Sequence, residues 1–206
     1  HEADDEPELW QERFEEEFLA HNVALIDALE EHLYHEHYDR LYEIGCGHGQ
    51  VVEYLAERMK TISEFIGMDI SEVQIEKNRH YYNHPKISFQ AGDAVSWVQE
   101  EAKPRSIFLT NGGVFEYFLQ EELELMFSHI ASKLAPAIVG IIETIGSDHD
   151  LAKEHDSLVY GRELAFSHNY PYLMEKAGLS VVYHSERVGT IEHGGGRWIR
   201  VLGIKE

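Results

Sequence analysis

The chain is poor in cysteine and in basic residues. It holds one cysteine, Cys46, among 206 residues, which excludes an internal disulfide framework and suits a reducing compartment. Lysine and arginine together number 17, against 38 aspartates and glutamates, and the formal net charge is −21. Because nucleic-acid backbones and anionic membrane surfaces attract basic side chains, we expect neither as a partner.

Long hydrophobic runs are also absent. No apolar run approaches the roughly 20 residues that a membrane-spanning helix needs. The first residues, His1–Glu6, are acidic, whereas a secretory signal is basic and then apolar, so we expect no signal and a cytoplasmic location. The hydrophobic share of 43% is that of a globular protein, and the length predicts one compact domain.

Acidic residues are concentrated at the start of the chain. The first twenty residues carry nine acidic side chains and one basic side chain, Arg13. A solvated helix face and a docking site for a basic partner both account for this pattern. The sequence does not say whether the charge reflects adaptation to salt or a partner.

Strands and helices alternate along most of the chain. Five strands are predicted, at Arg40–Ile44, Glu64–Met68, Ile87–Ala91, Ser106–Thr110 and Ala137–Thr144. Five helices are predicted to follow them, at Gln50–Met59, Ser71–Tyr82, Ala94–Glu101, Gln120–Lys133 and Tyr172–Ala177. This alternation predicts a mostly parallel, doubly wound α/β sheet with helices on both faces.

Three segments lie outside that alternation. Apolar residues at helical spacing predict one or two amphipathic helices over Glu8–His32. Ile145–Ser167 is less regular and is interpreted as an insertion with partial helix. Leu179–Arg187 and Arg197–Ile204 flank Gly194–Gly196, which predicts a closing hairpin.

A glycine-rich turn follows the first strand. Glu43 and Ile44 end that strand, and Gly45-Cys46-Gly47-His48-Gly49 leads into the next helix. In such sheets, ligands bind beyond the carboxyl ends of the strands. The following strands also end in polar residues or glycine, namely Asp69, Asp93 and Asn111-Gly112. We therefore predict a ligand site at this edge of the sheet.

The turn only partly fits the dinucleotide-binding pattern G-x-G-x-x-G. Gln50 stands where the third glycine belongs, and Glu43 would repel a pyrophosphate. A cationic ligand without phosphates suits the turn better. S-adenosylmethionine has a sulfonium, a zwitterionic amino-acid end, a ribose and an adenine, so it fits these residues.

Three motifs in order extend this interpretation. Glu43-x-Gly45-x-Gly47-x-Gly49, Ile66–Ser71 and Phe89–Ala94 resemble those of class I S-adenosylmethionine-dependent methyltransferases. The resemblance covers residues 38–206, and residues 1–37 lie outside it as a helical cap or lid. It implies a Rossmann-like, seven-stranded sheet whose last strand is antiparallel and inserted beside the sixth.

The resemblance also implies a role for each matching residue. Glu43, Gly45 and Gly47 line the methionine part, with Cys46 as a small packed residue of the turn rather than a nucleophile. Asp69 holds the ribose hydroxyls and Ile70 packs on the adenine. The remaining cofactor-binding residues are Asp93 at the adenine amino group, Ala94 beside it, and Asn111 and Gly112, which close the pocket.

Candidates for a general base come from loops predicted to face the acceptor. His168 is the first choice, because it precedes a helix in a loop expected near the transferred methyl group. Glu143, His149 and Tyr117 follow. No metal site is predicted, since the fourteen histidines form no His-Glu-x-x-His pattern. His32, His35 and His37 are interpreted as a ring around the end of a surface helix.

The acceptor is predicted to be a small organic molecule. Asn111-Gly112-Gly113 departs from the Asn/Asp-Pro-Pro-Tyr/Phe segment of enzymes that methylate base or glutamine amino groups. Aromatic residues predicted near the acceptor are Phe115, Tyr117, Phe118, Phe166, Tyr170 and Tyr172. The alternatives are a protein-directed methyltransferase, another transferase that uses S-adenosylmethionine, and a non-catalytic binding module.

Overall fold

The computed structural model describes residues 10–12, 14–161, 165–188 and 196–206. The acidic start His1–Glu6, Arg13, and Gly194 and Gly195 of the predicted hairpin turn lie outside the described residues.

A seven-stranded sheet forms the centre of the molecule. Its strands are β1 Arg40–Ile44, β2 Glu64–Asp69, β3 Ile87–Ala91, β4 Ser106–Asn111, β5 Ala137–Ile145, β8 Ser180–Val188 and β9 Arg197–Lys205. The spatial order is β3-β2-β1-β4-β5-β9-β8. Strands β1 to β5 pair in parallel, and β9 is antiparallel to both β5 and β8. This topology confirms the predicted fold, including the inserted antiparallel last strand.

The helices cover both faces of the sheet. A π-helical turn, Phe14–Leu19, continues into α1 Ala20–Leu33. The other helices are α2 Gln50–Arg58, α3 Glu72–Tyr81, α4 Ala94–Glu100, α5 Gln120–Lys133 and α6 Tyr170–Lys176. Ser71 caps α3 by accepting a hydrogen bond from Gln74 N, and Asp93 caps α4 by accepting one from Ser96 N. These helices match the predicted ones within about two residues, the ordinary uncertainty of helix ends.

The N-terminal helix belongs to the hydrophobic core. Leu25, Ile26 and Leu29 recur along one face of α1 and are fully buried. They pack with residues of β1, β4, β5 and β9 in one of the two apolar layers that sandwich the sheet. Burying each such side chain contributes about 1.5–3 kcal/mol, so α1 is held firmly across the sheet.

The described residues of the insertion after β5 contain strands and no helix, so the prediction of partial helix was wrong there. Leu158–Tyr160, here β6, pairs with Ala165–Ser167, here β7, in a two-stranded antiparallel sheet. Before β6, the amide of Asn169 donates hydrogen bonds to the carbonyls of Leu151 and Glu154. A distant side chain therefore satisfies backbone carbonyls that a helix would pair locally. The spacing of apolar residues along the sequence cannot reveal such a contact.

Among the described residues, no helix combines the length and apolar character needed to cross a membrane.

Candidate functional site

The glycine turn after β1 has a conformation that requires glycine. Gly45, Gly47 and Gly49 all have positive φ, of 71°, 47° and 84°, which side-chain-bearing residues rarely adopt. A Cβ on Gly45 would lie 2.3 Å from Val114 Cγ2. A Cβ on Gly47 would meet no atom of the described residues within 4 Å. Gly45 is thus needed for packing, whereas Gly47 faces open space.

Asp69 ties the end of β2 to this turn. Its Oδ2 accepts a hydrogen bond from Gly47 N at 3.0 Å, and its Oδ1 accepts one from Ser71 N at 2.9 Å. On the other side of the turn, Asn78 Nδ2 donates to Gly47 O at 2.7 Å. The turn is therefore fixed from two sides and cannot collapse into the space that Gly47 faces.

Two adjoining cavities lie at the carboxyl edge of the sheet and share Gly45 and Gly112. The first, which we call the turn cavity, has a volume of about 280 Å³ and contains Glu43, Cys46 and Gly47 in its wall. The second, the Asp69 cavity, measures about 470 Å³.

All ten residues predicted to bind the cofactor line one cavity or the other. Six of them line the turn cavity, namely Glu43, Gly45, Cys46, Gly47, Asn111 and Gly112. The Asp69 cavity is lined by Asp69, Ile70, Asp93 and Ala94 together with the two shared glycines. A larger groove of about 1750 Å³ runs along α3, but Glu43, Asp69 and Asp93 do not line it.

Glu43 is a buried carboxylate at the wall of the turn cavity. Its exposed fraction is 2%, and its Oε2 has no hydrogen-bond partner among the described residues. Burial raises its pKa well above the ordinary value, against a hydrogen bond from the Val52 backbone, and the like charge of Asp69 raises it further. An ammonium or hydroxyl group in the turn cavity would satisfy this oxygen, so the residues present fit S-adenosylmethionine.

Cys46 behaves as a packed residue of the turn. It is buried, and burial raises the pKa of its thiol, as do the nearby carboxylates of Glu43 and Asp69. A thiol in such surroundings is a poor nucleophile.

Glu143 fixes the segment 111–114, which begins at the last residue of β4 and lines both cavities. This residue of β5 is fully buried and accepts hydrogen bonds from Gly113 N at 3.1 Å and from Val114 N at 3.0 Å. Burial raises its pKa to about 7, against the opposing effect of the Phe115 and Val114 backbone groups. Glu143 thereby holds Val114 against Gly45, so the position of the segment depends on a carboxylate in the core.

His168 lies in the core rather than at a cavity wall. It is fully buried, with Nε2 3.0 Å from Phe115 O and Nδ1 2.6 Å from Ser157 Oγ. A carbonyl only accepts, so Nε2 carries the proton. Burial lowers the pKa of His168 to about 4. The β6–β7 hairpin, which the sequence did not reveal, contributes to this enclosure.

The other catalytic candidates occupy different surroundings. His149 is buried, with Nδ1 2.8 Å from Ser167 Oγ and Nε2 3.2 Å from Glu154 O. Tyr117 is 59% exposed and lines the Asp69 cavity. Of the four candidates, Tyr117 lines one of the two cavities described above, and the other three line neither. The catalytic roles of all four stay predictions.

The aromatic residues predicted to meet the acceptor fall into separate groups. Phe115 and Tyr170 are buried in the hydrophobic core. Tyr117 and Phe118 line the Asp69 cavity. Tyr172 stacks on His155 with ring centroids 4.0 Å apart. Sequence spacing could not separate these groups, because all of these residues lie near the carboxyl edge.

Four polar or aromatic residues near the turn cavity were missed from sequence. Asn22 of α1, Arg187 of β8 and Trp198 of β9 line it. Arg200 lies behind Asn22, donating from Nε to Asn22 Oδ1 at 2.7 Å, and Asn22 in turn donates to Asn111 Oδ1 at 3.4 Å. The available signal was the every-second-residue pattern of Trp198 and Arg200 in the closing hairpin, which places them on one face.

The described residues contain no group of three or more His, Cys, Asp or Glu side chains arranged to hold a metal ion. That no metal takes part stays a prediction.

The chain is similar to known proteins in sequence and in fold. A family described as a methyltransferase domain matches residues 41–137. A carboxy-S-adenosyl-L-methionine synthase from a Nitratiruptor species is 30% identical over 146 residues, which are 66% of this chain and 57% of that protein. This chain therefore spans little more than half the length of that relative.

Solved structures share the fold at low identity. A protein from Galdieria sulphuraria, assigned as a sarcosine dimethylglycine methyltransferase, has a TM-score of 0.66 and 16% identity, over 91% of this chain and 86% of that chain. The magnesium protoporphyrin IX methyltransferase of Synechocystis PCC 6803, solved with bound S-adenosylmethionine, has a TM-score of 0.59 and 14% identity, over 91% of this chain and 81% of that chain.

Proposed function

We propose that the chain is a class I S-adenosylmethionine-dependent methyltransferase and that it methylates a small organic acceptor in the turn cavity. S-adenosylmethionine is the cofactor of this family, which confirms the cofactor predicted from sequence. One observation carries the proposal on the acceptor. The turn cavity extends beyond the predicted cofactor-binding residues to Asn22 and Trp198, so it has walls that the cofactor does not account for.

The proposed arrangement assigns the two cavities to two parts of the donor. Asp69 holds the ribose hydroxyls, and Ile70 and Asp93 hold the adenine in the Asp69 cavity. Glu43 and Gly47 hold the methionine part in the turn cavity. When bound, S-adenosylmethionine supplies a sulfonium methyl group: the acceptor's lone pair bonds to that carbon, while the carbon–sulfur electron pair returns to sulfur.

The chain's own contribution is chiefly to hold donor and acceptor in line. Such positioning accounts for several kcal/mol of catalysis without any reacting side chain. The N-terminal helix supports this role, since Trp10, Phe14 and Phe18 line the turn cavity beside Asn22. Trp10 stacks on His48 of the glycine turn, with ring centroids 3.9 Å apart. We propose that residues 1–37 act as the lid that excludes water, with residues 38–206 as the catalytic domain.

A general base is needed only if the acceptor must lose a proton. A base works in its deprotonated form, so its pKa marks the pH below which turnover falls. Turnover limited by His168 would fall below about pH 4, and turnover limited by Glu143 below about pH 7. The pH dependence of kcat at saturating donor, measured with an acceptor that does not titrate in this range, separates the two.

A small acceptor is supported by size and charge. The turn cavity holds about 280 Å³, just below the usual range of about 300–1,000 Å³ for small-molecule sites, and the methionine part of the donor takes some of that space in the proposed arrangement. The net charge of −21 opposes binding of a polyanion. We propose a small-molecule partner rather than nucleic acid or a membrane. A cytoplasmic location is part of the same proposal, because the single free cysteine suits a reducing compartment.

A second candidate is another reaction of the same cofactor. It is favoured by the relative named a carboxy-S-adenosyl-L-methionine synthase, whose name specifies a modified donor as product. In that case the small molecule in the turn cavity would react with the donor without accepting its methyl group.

The decisive experiment measures the methylated acceptor and S-adenosylhomocysteine together. The protein is incubated with methyl-labelled S-adenosylmethionine and a panel of small phenols, amines, thiols and carboxylic acids, and the products are identified by mass spectrometry. We expect one labelled acceptor for each S-adenosylhomocysteine formed. A donor of altered mass would establish the second candidate. Donor binding without any product would indicate a non-catalytic module, and labelling confined to added peptides would indicate a protein acceptor.

A further inference from the structure

Arg187 is a cationic side chain at the wall of the turn cavity. It lies near the carboxyl end of β8, opposite Trp198 of β9 in the ladder, and both residues line the cavity. None of the residues predicted to bind the donor comes from this hairpin. Arg187 therefore faces the part of the cavity that we assign to the acceptor.

Most other arginines that the structure describes are paired with carboxylates. Of the seven arginines in the described residues, five form salt bridges, namely Arg40, Arg58, Arg79, Arg105 and Arg197. Within the same part of the chain, no carboxylate lies within salt-bridge distance of Arg187 or Arg200. These two arginines share one face of the β8–β9 ladder, with Arg200 opposite Ser185, two residues before Arg187.

Both arginines are partly or fully removed from water. Arg200 is 5% exposed, and its pKa is lowered first by burial and then by the positive charge of Arg187. The Nε of Arg187 is buried without a hydrogen-bond acceptor among the described residues. A buried cationic donor without an acceptor is costly, and two neighbouring cations increase that cost.

Two acidic residues also line the turn cavity. Glu17 is exposed, on the π-helical turn. Glu43 lies on the donor side, and its pKa is raised well above the ordinary value by burial. Neither forms a salt bridge with Arg187, so in the part of the chain that the structure describes the positive charge at the hairpin wall has no carboxylate partner.

We propose that Arg187, supported by the charge of Arg200, anchors a carboxylate of the methyl acceptor in the turn cavity. A guanidinium binds a carboxylate through two parallel hydrogen bonds, which fixes orientation as well as charge. This inference rests on the proposed function, because it assigns the class of acceptor to the same site.

The test uses matched pairs of a carboxylate and its amide. Acetate, glycine and benzoate are titrated against acetamide, glycinamide and benzamide by calorimetry, with the protein saturated with S-adenosylhomocysteine so that no turnover occurs. We expect at least one acid to bind about tenfold or more tightly than its amide. In Arg187→Gln that preference should shrink to about twofold or less, and Arg187→Lys should keep part of it.

Arg40→Gln is the matched control. It removes the same charge at the opposite edge of the sheet, where Arg40 pairs with Glu64, and should retain the full preference. Equal binding of acids and amides, no binding by any probe, or a preference unchanged in Arg187→Gln would overturn the inference. If Arg187→Gln does not fold, Arg187→Lys is compared with the unmodified protein instead. A reduced preference for acids supports the inference, and an unchanged preference overturns it.

The donor has a carboxylate of its own, so its affinity is measured in the same variants. We expect Arg187→Gln to bind S-adenosylmethionine within about twofold of the unmodified protein. A loss of tenfold or more would mean that Arg187 binds the donor's carboxylate, which overturns the inference.

The inference and the proposed function can fail separately. A carboxylate preference without methylated product would support carboxylate binding at Arg187 and contradict the proposed methyltransferase function. Methylation of uncharged acceptors as efficiently as their acids would support the proposed function and contradict the inference about Arg187.

Discussion

At the scale of single residues, Asp69 has a structural role and a proposed binding role. It accepts hydrogen bonds from Gly47 N and Ser71 N while lining the cavity assigned to the ribose. We expect Asp69→Ala to weaken S-adenosylmethionine binding by about 10- to 100-fold, since hydrogen bonds to a charged group contribute roughly 1.5–3 kcal/mol. Calorimetric titration measures this loss. Glu64→Ala, at the other end of the same strand, should bind normally, and equal affinities in the two variants would refute the role.

Glu143 makes stability depend on pH. Its pKa in the folded protein is about 7, above its ordinary value of 4.5, so folding favours the protonated form. Its contribution is complete below about pH 4.5 and is lost as pH rises through 7. The free energy of unfolding of Glu143→Gln, relative to the unmodified protein, should therefore increase by roughly 3 kcal/mol over that range.

Urea denaturation at pH 4.5, 6, 7 and 8 measures this change. The comparison with Glu64→Gln, an exposed carboxylate on β2, controls for the general effect of removing one negative charge. A difference between Glu143→Gln and the unmodified protein that stays constant with pH would contradict the assignment.

At the scale of elements, substitutions of two glycines distinguish an effect on stability from an effect on donor binding. Gly47 and Gly178 both have positive φ, and a Cβ on either would contact none of the described residues. Gly178 follows α6, whereas Gly47 lines the turn cavity. We expect both Gly47→Ala and Gly178→Ala to lose about 1 kcal/mol of stability.

Only Gly47→Ala should also lose donor affinity, by tenfold or more, because its methyl group would occupy the donor's space. Thermal denaturation and calorimetric titration of the two variants provide the two measurements. Normal donor binding by Gly47→Ala would show that the donor does not approach the turn at this point.

The elements also differ in how far sequence predicted them. Strands β1 to β5 and their helices were predicted because each carries its own apolar period, and α3 and α4 also have side-chain caps at Ser71 and Asp93. The β6–β7 hairpin was not predicted, since its strands have three residues each and are stabilised by distant partners. The burial of His168 was not predicted for the same reason: it depends on Ser157 and Phe115, which are remote in sequence.

At the scale of the whole molecule, the net charge of −21 should oppose folding. Like charges repel in the compact state, and salt screens that repulsion. We expect the melting temperature to rise with NaCl between about 0.01 and 0.5 M, as measured by circular dichroism. Adding sucrose at constant ionic strength controls for general solute effects. A melting temperature that is flat or falls with NaCl would indicate that the pairing seen at Arg58 and Arg105 already compensates the charge.

The sequence by itself determined the sheet and the ten residues that line the two cavities. These follow from local pattern, because parallel strands bring their carboxyl ends to one edge whatever the rest of the chain does. Only the tertiary structure decided which further side chains surround the turn cavity. Asn22, Arg187, Trp198 and Arg200 come from the two ends of the chain and meet only because β9 inserts between β5 and β8 while α1 crosses the sheet. Such long-range packing has no local period, so no pattern along the chain reveals it.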